Sequence, residues 1–219
     1  MNTTKSLISL SPNTWNLKKE LQGVDIRIEP SLFLSRCYSY PKAIILDPSL
    51  FENKVGELYP RALESLYFEL ANLAAEKEIE NLIGRVHTLD ADAFALQFET
   101  IEYKSALKTK NAIRTAFPPE KWKHFAFAEI PDSFKVHLLR QIYFGHTQEI
   151  VSRYYPGETQ TIFPFKPFQE NEKELAQIAL NLLGRNTSEA KEQYQEIRAS
   201  CRGYLLDRLN EIEEFVGIP

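Results

Sequence analysis

Residues 60–77 read PRALESLYFELANLAAEK, and this stretch decides the fold class. On a helical wheel Ala62, Leu63, Leu66, Tyr67, Leu70, Ala71, Leu73 and Ala74 fill one half of the circumference. Arg61, Glu64, Ser65, Glu69, Asn72 and Glu76 fill the other. That spacing describes a helix laid on a core, neither fully buried nor membrane-embedded. Pro60 suits its first position, where a missing N–H costs nothing. Phe68 falls among the polar side chains, off the apolar stripe. It is taken as a candidate contact residue for another protein, although single exposed aromatics are common.

Towards the N-terminus, KAIIL at residues 42–46 is a continuous aliphatic run closed by Asp47-Pro48, the signature of a buried strand. VDIRI at 24–28 alternates with period two and predicts a half-buried strand. Residues 5–10 suggest a further strand, 14–21 a short helix and 32–35 another extended piece. Asp47 has two readings. An acid at the carboxyl end of an apolar strand can hold a metal in phosphoryl-transfer folds, so an enzyme site near Asp47, with His87 or His137, is one alternative. The plainer reading is a cap for a short helix over 48–57, with Pro48 first in line. No G-x-x-x-x-G-K-[ST] loop accompanies Asp47, which favours the cap.

Towards the C-terminus, Phe94, Leu96 and Phe98 alternate with Ala95, Gln97 and Glu99. With Leu89-Asp90-Ala91-Asp92 as a break, residues 82–99 read as a β-hairpin. His87, Asp90 and Asp92 then cluster near its tip, but acids in turns bond their own backbone, and no metal site is assigned. Residues 101–117 fit a helix loosely, ended by Pro118-Pro119. A helix follows from about residue 133, capped by Asp132 or Ser133, with Val136, Leu139, Ile142 and Tyr143 as its stripe. Gly145 interrupts it, and residues 146–155 resume. His137 and His146 flank the break; Glu149, three residues after His146, does not complete a ligand set.

Residues 156–171, PGETQTIFPFKPFQEN, carry Phe163, Phe165 and Phe168 among prolines, and read as a strap over an apolar groove. Residues 172–183 form a helix closed by Gly184. Asn186, with Glu189 three residues on, opens a second helix that runs to Val216. Its apolar positions Ala190, Tyr194, Ile197, Cys201, Leu205, Leu209, Ile212 and Val216 are spaced by three or four throughout. Such a helix would be about 45 Å long and would outrun its partner. Gly203 in its middle suggests a close crossing.

The expected architecture is therefore α+β. A body over residues 1–160 packs helices on a small mixed or antiparallel sheet, and residues 161–219 supply the strap and a C-terminal helical hairpin.

Net charge is −4, which argues against a general polyanion binder. Residues 103–124 nonetheless hold six basic side chains and one acid, Glu120, a local balance of +5. Lys104, Lys108, Lys110, Arg114, Lys121, Trp122 and Lys123 mix cations with an aromatic ring, as single-strand binders do. An amphipathic stretch with solvated lysines looks the same. Cys37 and Cys201 match no metal or redox spacing. There is no secretory signal pattern and no run long enough to span a membrane, so a cytoplasmic protein is expected. Nucleophile-elbow, zinc-protease, dinucleotide and kinase motifs are absent from the sequence.

The functional expectation is a non-enzymatic assembly, adaptor or regulatory factor without a cofactor. Its partner is another protein or a second copy, met through Tyr194, Ile197, Leu205 and Ile212 of the long helix. Nucleic-acid binding by residues 103–127 is the alternative.

Overall fold

A computed structural model describes residues 22–30, 35–56, 58–158, 170–185 and 187–217. It is α+β, with a small three-stranded mixed sheet and a majority of helix. The chain divides into two compact units. The first takes in Met1–Ile83 and Ile101–Ile130, the second Gly84–Thr100 and Pro131–Pro219. The expected pieces at 5–10, 14–21 and 32–34 and the strap over 159–169 lie outside the described residues.

In the first unit the strands are β1 (Asp25–Ile28), β2 (Ser35–Ser39) and β3 (Lys42–Leu46), in the order β1-β3-β2. β3 runs parallel to β1 and antiparallel to β2, and Ile44 stands in register with Ile26 and Cys37. The side chains of Val24, Ile26, Cys37, Ile44 and Leu46 join Leu63, Leu66, Tyr67 and Leu70 of helix α1 (Pro60–Ala74) in one core. KAIIL is buried from Ala43 to Leu46, as a central strand requires. β2, SRCYS, escapes sequence reading because its burial is partial on both faces and its apolar content is low.

α1 departs from the expected two-faced helix. Glu64, Glu69 and Asn72, placed on its water side by periodicity, are buried. The Ser35 hydroxyl donates to Glu69 Oε1 at 2.7 Å, and the Phe127 backbone N–H donates to Glu64 Oε2 at 3.0 Å. Buried polar groups are tolerated because they find such partners. Phe68 is half-buried against Phe127, with ring centroids 4.9 Å apart. Its place off the stripe is thus filled by its own chain.

Helix α2 (Glu76–Ile83) follows, and then α3 (Ala91–Ala116), one continuous helix where a hairpin was expected. Phe94 and Phe98 alternate like strand residues, but they are also four apart. On a helix they share a buried face while Leu96 turns outward. Asp90 starts the helix, its Oδ1 accepting the Ala93 N–H at 2.7 Å. A single helical turn, Pro119–Trp122, and a 3₁₀ turn, Ala126–Glu129, complete the first unit.

The second unit holds the N-terminal part of α3, then α4 (Phe134–Tyr143), α5 (His146–Tyr154), α6 (Glu170–Leu183), α7 (Ser188–Ser200) and α8 (Tyr204–Val216). Ser133 caps α4, accepting from the Val136 N–H. Gly145, at φ 80°, makes the expected break before α5. Thr187 caps α7, its Oγ1 accepting from the Ala190 N–H at 3.1 Å, where Asn186 was expected. The long helix to Val216 does not exist as one rod. It stops at Ser200 and restarts at Tyr204, with Gly203 at φ 53° and ψ −134°, a conformation open to glycine. α8 packs against α4, and α7 against α6, so the two halves cover apolar surface that a straight rod would leave bare.

Candidate functional site

The first unit carries a cleft of about 570 Å³. Its lining comes from two proline-marked breaks in the chain. On one side Val55, Gly56, Leu58 and Pro60 lead into α1; on the other Ala116, Phe117 and Pro118 end α3, and Lys121, His124 and Phe125 follow. Val55 and Leu58 exchange backbone bonds of 2.8 and 3.0 Å around Gly56, whose φ of 61° closes a tight turn. Pro118 and Pro119 stop α3 because neither can continue its hydrogen-bond ladder. The Trp122 indole N–H then donates to the Phe117 carbonyl at 2.8 Å, satisfying one of the acceptors left at the helix end. Phe117 and Phe125 stack at 4.8 Å and form an aromatic floor that is part of the core. Lys121 and His124 bring the polar heads to this lining.

The basic segment is dispersed by the fold. The Lys110 ammonium is buried and donates to the Ile130 carbonyl at 2.6 Å. Arg114 donates to the Ala128 carbonyl at 3.1 Å and lies over the Trp122 ring at 4.9 Å. One face of that indole is therefore covered. Lys104 pairs with Glu78 at 3.1 Å. Lys108, Lys121 and Lys123 are exposed. Of this group the structure brings only Lys121 to the cleft lining.

Asp47 acts as a cap. Its Oδ1 accepts the Ser49 N–H at 2.9 Å over the 3₁₀ turn Pro48–Phe51, which is shorter than the helix expected there. His87 is exposed, and it belongs with His137 to the other unit. Tyr194 and Ile212 are buried, and Ile197 and Leu205 are half-buried against the same cluster. The Tyr194 hydroxyl donates to Glu213 Oε1 at 3.1 Å, and burial raises its pKa. These four residues hold the second unit together and do not form an open face.

The second unit also buries an acid that the periodic reading left out. Glu99 is fully buried on α3, and its Oε1 accepts the Thr147 hydroxyl at 2.9 Å and meets His146 Nδ1 at 2.9 Å. Both partners open α5, where the positive end of a helix favours a carboxylate. His137, buried on α4, is pushed down to about 4, first by burial, with Glu99 opposing and Arg140 and His146 adding to the shift. The signal in the sequence was an acid continuing the buried stripe of Phe94, Ala95 and Phe98.

No protein family, curated protein or solved structure matches this chain.

Proposed function

We propose that the protein is a non-enzymatic binding factor whose first unit takes a short segment of a partner protein into the cleft beside Lys121 and His124. The observation that carries this reading is the composition of the lining: Leu58, Pro60, Phe117, Pro118 and Phe125 against the ammonium of Lys121 and the imidazole of His124. This lining offers an apolar anchor point with a basic edge, which suits an aromatic or aliphatic side chain flanked by carboxylates. Exposed Lys121 and Lys123 would speed the encounter with an acidic segment. The free thiols of Cys37 and Cys201 fit a reducing compartment, and we place the factor in the cytoplasm. No described helix is long and apolar enough to cross a membrane.

Nucleic-acid binding has less support, since Lys110, Arg114 and one face of Trp122 are occupied within the unit. The catalytic alternative at Asp47 has the least, because that carboxylate caps its own turn.

Selection from a random peptide display library tests the proposal. It expects enriched peptides that pair a large apolar residue with acids and lose binding at least tenfold on Lys121→Glu. Enriched peptides that bind the Lys121→Glu protein equally well would contradict it. So would retention of single-stranded nucleic acid in place of peptide.

A further inference from the structure

The sequence of residues 188–216 is written for one helix, yet the structure folds it as two. Positions 190, 194, 197, 201, 205, 209, 212 and 216 keep the same three-or-four spacing straight through the break. No proline lies between them, and Gly203 is the single glycine. The interruption is confined to Cys201, Arg202 and Gly203. Backbone carbonyls released there are met locally: the Arg202 guanidinium donates to those of Ala199 and Cys201, each at 2.6 Å. Nothing stands within 4 Å of where a Gly203 side chain would begin. What opposes a side chain at this position is the positive φ, not crowding.

The folded-back α8 is held by contacts that do not depend on the break. Glu213 Oε1 accepts from Tyr194 and from Arg198 Nε, and Arg198 Nη2 donates to Asn210. Leu209 and Ile212 lie in one cluster with Leu139, Leu180 and Tyr194. The same contacts form whether α8 comes from its own chain or from another.

We infer that residues 201–203 are a hinge, and that a second copy of this chain is the partner its opening admits. Straightening the hinge joins α7 and α8 into one helix and carries α8 away from its own α4 and α7. The α8 of a second copy then takes the vacated place, and the first copy returns the exchange. Every apolar and polar contact of α8 is remade between chains, and the new continuous helix turn is the net gain. Exchange of an identical element through a short hinge is a low-cost route to a dimer. Cys201 to Gly203 and their helix-competent surroundings supply such a hinge.

Two variants, examined by light scattering after gel filtration over a wide range of concentration, decide the matter. Gly203→Ala penalises the bent backbone and favours the helix. The inference expects it to move the mass from 25.3 kDa to twice that value, with a dimer dissociation constant at least tenfold below the parent's. Arg202→Pro forbids a straight helix, and Cys201 before it already has the extended backbone, φ −73° and ψ 145°, that suits a residue preceding proline. That variant is expected to stay monomeric. A Gly203→Ala protein that associates no more tightly than the parent overturns the inference, and so does one that loses its fold without forming a dimer. A dimer equally tight in Arg202→Pro also overturns it, since such a dimer does not use the hinge.

Discussion

Glu64 in the first unit and His137 in the second are both buried on helices, and burial moves them in opposite directions. The Glu64 carboxyl is pushed up to about 7 from 4.5, by loss of solvent, with the amides of Phe127 and Ala126 and the charge of Arg61 opposing. The His137 imidazole is pushed down to about 4 from 6.5, again by burial, with Glu99 opposing. In each case the neutral form is the one the fold accepts. The same desolvation therefore makes the Glu64 contribution favour acid and the His137 contribution favour neutral or basic pH.

The largest effects test whether the units are separate at all. Leu66→Ala in the first and Leu209→Ala in the second each remove a buried side chain, and each should cost about 2–5 kcal/mol. Hydrogen exchange read by segment should show lost protection in the mutated unit alone. Equal loss in both units would dissolve the comparison.

The pH responses come next, and their signs are fixed by the shifts. Folded Glu64 holds a proton that the unfolded chain releases above 4.5. Its contribution is full below 4.5 and is lost as pH rises to about 7, on the order of 3 kcal/mol. Glu64→Gln should flatten that limb in denaturant titrations of the first unit. Folded His137 excludes a proton that the unfolded chain binds below 6.5. Its contribution is full above 6.5 and is lost as pH falls to about 4. His137→Gln should flatten the acid limb of the second unit only. Parallel pH curves for the two units would show that other groups govern both.

The smallest effect concerns Asp47. Asp47→Ala should lower the first unit's stability by about 1 kcal/mol, the worth of a helix cap, and leave peptide binding as it was.

Much of the α+β frame was legible, and the reasons for the rest are physical. KAIIL and the α1 stripe are strong signals because burial demands those side chains in that order. The hairpin reading of residues 82–99 failed because Phe94 and Phe98 satisfy both periods, and the capping bond of Asp90 decides for the helix. The long C-terminal rod failed at residues 201–203, where Cys201 turns extended and Gly203, which reads as no more than a weak helix residue, uses its positive φ. Phe68 looked exposed because periodicity along one helix cannot see Phe127, which lies far along the chain. The cleft was scarcely visible. Lys121 was singled out, but for another ligand; Val55, Leu58, Phe117 and Phe125 meet only in three dimensions. Two proline breaks, at Pro60 and at Pro118-Pro119, were the available hint.

The most direct test of the cleft is a nuclear magnetic resonance titration of the labelled protein with an acidic peptide enriched by display. Binding by this account moves the amide signals of Val55, Leu58, Lys121 and His124 together and leaves those of α7 and α8 in place. Shifts gathered on α7 and α8, or no shifts at any peptide concentration, would contradict it.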